Sequence, residues 1–524
     1  MLTRLLSTAA LLAISAGAAS AEYNLTILHI NDFHARFEPI NSFDSSCSDK
    51  EAAENKCFGG IARLVTAVKD ARGRSANPIL LDAGDQFQGS LFYNQYKGAV
   101  SAEFSPLLGV EAMAVGNHEY DDGPAELLKF VEAVNFPLLA ANQDLSREDL
   151  LKGRIAKSTV IEKDGQKIGL IGLTPIDNPE LASTGPNITF TPPLDAAQAE
   201  ADALTAAGVN KIILLSHSGY EVDKELAAGL RDVDVIVGGH SHTLLSSTDE
   251  KAAGPYPTVV NGVPIVQAYA YGKYLGELNV TFDDAGKVIS AAGAPILLDA
   301  AVAEDAPAKA RLAELAKPLE ELKARVVGET TAAIDGGRET CRAQECTMGN
   351  LVAEAQLDRV RDQGITISLV NGGGLRASID AGPLTMGEVL TVLPFQNTLS
   401  TFQTTGKAVV AALENGVSQL DKGAGRFLQV AGLKYAFDGK AEPGHRVSDV
   451  MVEKDGQWVP IDPAATYGVV VNNYVRNGGD GFAMFLTEAT NPYDFGPDLA
   501  DVVADFVAKS GSYTPALDGR ITVR

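Results

Sequence analysis

The stretch "AVGNHEYDDG", Ala114 to Gly123, carries an apolar run straight into Asn117, His118 and Glu119 and sets two carboxylates, Asp121 and Asp122, just behind them. Gly, Asn and Asp are ordinary turn residues, so taken alone the stretch reads equally well as a strand closing in a polar turn and as a strand delivering chemistry. Four other runs break the tie. "LTILHINDFHARFE", "PILLDAGDQFQGS", "KIILLSHSGYE" and "VDVIVGGHSHT" are likewise β-type apolar runs that end in Asp, Asn or His. Together the ends supply Asp32, His34, Asp82, Asp85, Asn117, His118, His217, His240 and His242, and of the 7 histidines in the chain only His29 and His445 stand outside this set. Histidine is not a preferred turn former. Functional groups gather at strand carboxyl ends in open α/β sheets, so these ends are expected to converge on one point.

Mixed carboxylate, imidazole and amide ligands suit divalent metals such as Zn, Mn or Co. The candidates are too many for one tetrahedral zinc, which points to two divalent metal ions sharing a bridging carboxylate. His29 sits inside its apolar run, before the strand ends, and is expected to be a core or supporting histidine.

The rest of the chain bounds what such a site can serve. At 524 residues the chain is too long for a single hydrophobic core. The opening "MLTRLLSTAALLAISAGAASA" has a positive start at Arg4, an apolar run and the small-residue site Ala19-Ser20-Ala21, the pattern of a signal peptide over 1–21. Its apolar run, broken by Ser15 and Gly17, falls short of the roughly 18 residues that a membrane span needs. No membrane anchor is expected, and the protein is expected in the periplasm or outside the cell. The 4 cysteines of an exported chain favour disulfides. Of the three possible pairings, Cys47 with Cys57 and Cys341 with Cys346 close the shortest loops. A formal charge of -24 argues against nucleic acid polymers as partners and makes any anionic substrate a problem that local positive charge must solve. Between Glu304 and Thr330, Leu312, Leu315, Leu319, Leu322 and Val326 recur at helical spacing. We read 304–330 as a helical connector between a larger domain over 22–303 and a smaller one over 331–524.

In order along the chain, D-x-H (Asp32, His34), G-D (Gly84, Asp85), G-N-H-E-x-D (Gly116 to Asp121), His217 and G-H-x-H (Gly239 to His242) resemble the calcineurin-like metallophosphoesterases. With the second domain included, the whole chain after the leader resembles the periplasmic and ecto-type 5'-nucleotidases. The resemblance implies an α/β fold with an N-terminal layered α/β/β/α metallophosphoesterase domain and a smaller C-terminal α/β substrate-binding domain. It implies Asp32, His34, Asp85 and His242 on one metal and Asp85, Asn117, His217 and His240 on the other, with Asp85 bridging. Some members carry Gln or Asn in place of His242. Asp82 matches no ligand and is expected to be structural. Neighbouring side chains at a strand end point different ways, so Asn117 can face a metal while His118 faces substrate. By resemblance His118 and Asp121 are the catalytic pair, Asp121 holding the imidazole tautomer, and Glu119 carries no assigned role.

In the second domain "ETCRAQECTMGN", "NGGGLRASID" and "NYVRNGGDGF" stand out. As Gly-rich segments they are also plain turns. The resemblance implies Arg342 and Arg376 on the phosphate, Asn371 beside the base, Phe395 and Tyr474 stacking on either side of the base, and Asp480 accepting hydrogen bonds from the ribose. Tyr474 departs from the Phe common at that position. The expected activity is hydrolysis of a nucleoside 5'-monophosphate to nucleoside and phosphate, with rotation of the second domain carrying substrate to the metals. Rival readings are a 2',3'-cyclic nucleotide phosphodiesterase with 3'-nucleotidase activity, a nucleotide-sugar diphosphatase, or an exported nucleotide-binding protein with purely structural metals. His118 and Asp121 count against the last, and Phe395 with Tyr474 counts against a related thiosulfate-pathway hydrolase.

Overall fold

The computed structural model describes residues 22–42, 44, 47–395, 397–454, 456–493 and 496–524. The leader expected over 1–21 lies outside the described residues. The strands of the first half are Tyr23–Ile30 (β1), Pro78–Asp82 (β2), Ala112–Ala114 (β3), Leu138–Leu139 (β4), Gln143–Asp144 (β5), Ser158–Lys163 (β6), Gln166–Leu173 (β7), Thr189–Phe190 (β8), Ile212–Ser216 (β9), Val235–Gly238 (β10), Thr258–Val260 (β11), Val263–Val266 (β12), Tyr274–Phe282 (β13) and Val288–Leu297 (β14). They form two six-stranded sheets, ordered β14-β13-β1-β2-β3-β4 and β11-β12-β10-β9-β7-β6, and a β5-β8 ribbon. The first sheet is parallel from β1 to its β4 edge and antiparallel on the β14-β13 side, and the second is parallel at its centre with both edges antiparallel.

Period-two alternation decides the layering. Leu28 and Ile30 of β1, Leu80 of β2 and Met113 of β3 share a core with Leu64, Val65 and Val68 of helix Ile61–Arg74. The alternating residues Leu25, Ile27, Ile79, Leu81, Ala112 and Ala114 face the second sheet and pack with Leu170, Ile171, Leu214 and Leu215. Helices Pro193–Ala206 and Tyr220–Gly229 add Ala197, Ala201, Leu204 and Leu226 to that second core. Each fully buried Leu or Ile contributes about 1.5–3 kcal/mol. The result is the four-layer α/β/β/α arrangement, with strand carboxyl ends of both sheets opening on one edge.

The helix expected across 304–330 spans Ala306–Ala324 only. Val326–Thr330 is a strand, antiparallel to Gly382–Thr385 and parallel to Ser512–Tyr513. The apolar spacing that included Val326 misled because β-branched Val326 and Val327 favour extended backbone once sheet partners are within reach. The helix is not a free spacer either: Ala308, Leu312, Leu315, Ala316 and Leu319 lie in the core of the first half. The second half adds a five-stranded sheet ordered Leu428–Ala431, Ile367–Asn371, Thr466–Asn472, Leu399–Thr405, Thr490–Tyr493, and a four-stranded sheet, with helix Thr347–Val360 packed beside the first. Leu390, on helix Met386–Val392, packs against the cores of both halves. Asn41 Nδ2 donates to Asp380 Oδ2 across the seam at 3.1 Å. Both local disulfides are formed, Cys47 with Cys57 and Cys341 with Cys346.

The two sheets meet backbone to backbone where β7 passes β4. A Cβ on Gly172 would collide with the backbone carbonyl of Leu139, and Ala141 N–H donates to Gly172 O at 2.7 Å in the same place. Gly172→Ala should therefore lower the midpoint of thermal unfolding, with a loss of about 1–3 kcal/mol from overpacking. An unchanged midpoint would show that the sheets can part there at no cost.

Candidate active site

Beyond their last paired residues, β1 and β2 continue side by side as loops. Asp32 N–H donates to Gly84 O at 2.9 Å and His34 N–H to Asp85 O at 3.0 Å. The loop after β10 closes over them, with His240 N–H 3.0 Å from both carboxylate oxygens of Asp32. Asp32, His34, Asp85, His240 and His242 all hold left-handed backbone, with φ of 51°, 52°, 58°, 71° and 54°. Non-glycine residues avoid that region, and such strain persists where surrounding structure over-determines it, typically at functional sites.

The expected ligands come together as two groups joined through one carboxylate. Asp32, His34 and His242 form the first and Asp85, His217 and His240 the second, with ligand atoms in each group within 4.8 Å of one another. In the first, His34 Nε2 lies 3.0 Å from His242 Nε2 and 3.8 Å from Asp85 Oδ2, while His242 Nε2 is 3.4 Å from Asp32 Oδ1. In the second, His217 Nε2 is 3.0 Å from Asp85 Oδ2, and Asn117 Oδ1 lies 2.9 Å from His240 Nδ1.

The chemistry of this donor set fits cations. His34 Nδ1 sits 3.1 Å from the carbonyls of Phe87 and Gln88, and His217 Nδ1 sits 2.5 Å from Ala83 O. Each Nδ1 must carry the proton, which leaves each Nε2 as a bare lone pair. Those lone pairs lie against another imidazole nitrogen and carboxylate oxygens, with one guanidinium donor, Arg376, beside His34, and such crowded acceptors repel unless positive charge lies among them. A proton is the alternative source of that charge. Burial lowers the affinity of His217 for a proton, but Asp85 and Asp32 overcome it and lift the group to about 10. Burial, then His217, pushes His240 down to about 3. The two groups thus fit a dinuclear metal site.

Buried amides and carboxylates hold the ligand loops. Asn31 Nδ2 donates to Asp32 Oδ2 at 2.7 Å and to Tyr269 O at 2.5 Å. Gln267 donates to Gly239 O at 3.1 Å and accepts from Ser241 Oγ and Thr243 N–H. Asp82 accepts from Gly84 N–H at 3.0 Å and Gln86 Nε2 at 2.8 Å, a structural role, and burial raises it to about 8. His29 is buried against Tyr256, its Nε2 2.8 Å from the hydroxyl, and belongs to neither ligand group.

His118 belongs to neither of these groups but forms a third with His34 and Asp85, its ligand atom within 4.8 Å of theirs. Its Nδ1 is 2.7 Å from Asp121 Oδ2, its backbone N–H donates to Asp85 Oδ1 at 2.9 Å, and its ring lies 5.1 Å from that of His34. Burial disfavours the imidazolium, but Asp121 and Asp85 together raise its pKa above the ordinary value.

The second half contributes arginines to the same point. Arg376 Nη2 reaches 3.3 Å from His34 Nε2, and Arg342 Nη1 donates to Gly423 O at 3.3 Å while its buried Nε has no partner. The structure adds Arg338, which sequence reasoning missed: its Nη1 donates to His240 O at 3.4 Å. It lies on the short helix Arg338–Cys341, one turn before Arg342, so the i, i+4 spacing was the available signal. Burial, then Arg338 and Arg376, holds the Arg342 guanidinium well below its usual value. Crowded, desolvated guanidinium groups favour an anion between them.

The remaining expected residues divide. Asn371, Tyr474 and Asp480 form one network: Asn371 Nδ2 donates to Asp480 Oδ2 at 2.7 Å, Tyr474 hydroxyl donates to Asp480 Oδ1 at 3.2 Å, and Asn472 Nδ2 donates to Asn371 Oδ1 at 2.9 Å. Phe395 instead faces the first half, stacked on His118 at 5.7 Å and 27° with the Arg376 guanidinium 5.6 Å from its ring.

Comparison with known proteins places both halves of the chain in one family. Residues 25–244 match the calcineurin-like phosphoesterase family model and residues 326–487 the 5'-nucleotidase C-terminal domain. The 5'-nucleotidase of Diplobatis ommata is 39% identical over 537 residues, covering 98% of this chain and 92% of that one. That of Homo sapiens is 37% identical over 545 residues, covering 99% and 93%. The crystal structure of a 5'-nucleotidase precursor from Thermus thermophilus superposes with a TM-score of 0.91 at 43% identity, covering 96% of this chain and 99% of that one. With both halves matched nearly end to end, the chain belongs to the 5'-nucleotidase family.

Proposed function

We propose that this protein hydrolyses nucleoside 5'-monophosphates to nucleoside and inorganic phosphate, and that its first 21 residues direct its export. Two domains, 22–303 and 331–524, would share the work. Asp32, His34, Asp85 and His242 would hold one divalent ion and Asp85, Asn117, His217 and His240 the other. When bound, two such ions neutralise phosphoryl charge and lower the pKa of water towards about 7. Export is supported by the two disulfides, and no helix among the described residues is long and apolar enough to cross a membrane.

The observation that carries the reading is Arg376 of the second half lying 3.3 Å from His34 of the first. An anion-binding fork stands directly against the ligand cage, where a phosphate monoester would meet both. Arg342 and Arg338 would take its other oxygens. His118, held with Nδ1 to Asp121, would present Nε2 as a donor, and Asp121 and Asp85 outweigh burial to raise its pKa above the ordinary value. It would donate to the phosphoryl oxygen or to the departing 5'-oxygen, where negative charge grows. Tyr474 and Phe395 would flank the base and Asp480 with Asn371 would read the ribose and base edge, in a network preorganised by their mutual hydrogen bonds.

Three measurements test this. Dialysis against a chelator should abolish phosphate release from AMP, and Mn(II), Co(II) or Zn(II) should restore it; undiminished turnover in metal-stripped protein would defeat the two-ion reading. His118→Ala should lower kcat by about 10²- to 10⁴-fold while metal content stays normal, and loss of bound metal would reassign His118 as a ligand. Tyr474→Ala should cut kcat/KM for AMP by about 5- to 150-fold, the equivalent of one lost base stack of about 1–3 kcal/mol, and leave p-nitrophenyl phosphate hydrolysis nearly unchanged. Equal falls for both substrates would show that Tyr474 supports the fold and does not read the base.

A further inference from the structure

Glu119 follows His118 in the sequence, and its side chain is fully buried. Its carboxylate accepts from backbone N–H groups of two different loops. Oε2 takes Gly116 N–H at 2.7 Å and Asp85 N–H at 3.0 Å, and Oε1 takes Gln86 N–H at 2.8 Å and Phe87 N–H at 3.2 Å. Asp85, Gln86 and Phe87 follow β2, whereas Gly116 follows β3. The second loop returns the exchange, with His118 N–H donating to Asp85 Oδ1 at 2.9 Å. Each loop therefore lends the other a carboxylate. Gly116 makes room for both, since a Cβ there would collide with Asp85 Oδ1 and lie 2.8 Å from Glu119 Oε2.

The arrangement answers a local difficulty. Asp85 holds left-handed backbone, φ 58°, and three successive N–H groups converge on one side of the chain with no strand or helix to receive them. A buried N–H without an acceptor is costly. A carboxylate with two oxygens and several lone pairs can satisfy all of them, whereas an amide cannot, because it offers one acceptor oxygen and turns donors of its own towards donors.

We propose that Glu119 is a positioning residue for the shared ligand. It fixes the Asp85 backbone so that one carboxylate serves both ligand groups, and through the same clasp it sets the peptide that carries Asn117 and His118. The proposal rests on the reading of Asp85 as the ligand common to two metal ions.

The test is titration of the metal-free Glu119→Gln protein with Mn(II), followed by electron paramagnetic resonance. Two Mn(II) ions sharing a carboxylate give an exchange-coupled spectrum. Wild type should show it, and at the same added metal Glu119→Gln should show isolated Mn(II), the second ion binding about 10- to 100-fold more weakly, as for other residues that orient metal ligands. At saturating Mn(II), kcat for AMP should remain depressed while KM stays within about threefold, because the arginines and Tyr474 are untouched. A Glu119→Gln protein with the wild-type coupled spectrum and affinity overturns the proposal alone. A wild type lacking the coupled spectrum, or an Asp85→Asn protein that keeps it, overturns the shared-ligand reading and the proposal with it. If Glu119→Gln yields no folded protein, Glu119→Asp decides: it keeps the charge on an arm one methylene shorter, so a weakening of at least about tenfold supports the proposal and wild-type binding overturns it.

Discussion

The Asp85 carboxylate is the constraint around which the first half is arranged. One oxygen lies 3.0 Å from the bare Nε2 of His217 and 3.8 Å from that of His34, and the other receives the His118 peptide. Anion and lone pairs crowded out of water would repel one another strongly in the low dielectric of a protein interior. The arrangement is stable only with positive charge among them, and the fold brings one cation, the Arg376 guanidinium, to its edge, 3.3 Å from His34 Nε2. Burial of the strands, the left-handed ligand residues and the amide supports from Asn31 and Gln267 all hold a geometry that becomes favourable when cations bind. Binding that favours the native state over the unfolded one then returns the stored strain as stability.

The same carboxylates create the electrostatic task of the second half. A phosphate monoester brings more negative charge to a chain whose formal charge is already -24. Arg338, Arg342 and Arg376 converge at a cost, seen in the lowered affinity of Arg342 for its proton, which burial sets first and the other two guanidinium groups add to. Guanidinium groups tolerate this better than ammonium groups because they are weakly hydrated and bind phosphate through a planar fork. Placing them on the opposite half from the metal ligands separates two incompatible preorganisations: a cage of acceptors that awaits cations and a fork of donors that awaits an anion.

Much of this was legible in the chain because metal chemistry puts unusual residues at ordinary places. Histidines and carboxylates at the ends of apolar runs mark the ligand site, since a strand fixes which residue emerges at its end. The nucleoside site was much less legible from the residues themselves, because "NGGDG" is also a plain turn, and only resemblance separated the two. What escaped depends on contacts distant in sequence. Val326 keeps helical spacing yet joins a strand, because its partners Gly382–Thr385 and Ser512–Tyr513 arrive from far along the chain. Glu119 looked idle because its partners are backbone N–H groups, which carry no residue signature. The contact of the Phe395 ring with His118, between the halves, is likewise one that no local pattern encodes.

That last contact bears on how the halves cooperate. Phe395 touches both the imidazole of His118 and the guanidinium of Arg376, so a ring from the second half rests against the imidazole that lies beside the metal ligands of the first. A base stacked on the outer face of Phe395 would press the ring towards His118, whose freedom is already limited by Asp121 on its other nitrogen. Orientation of the imidazole would then depend on the presence of a base as well as on the phosphate. The barrier to phosphoryl transfer is lowered chiefly by positioning and charge, so in the role proposed for His118 a small gain in its alignment would act directly on rate. Binding energy from a part of the substrate remote from phosphorus would thus be spent on the reacting centre, the route by which an enzyme favours a whole nucleotide over the bare phosphate ester.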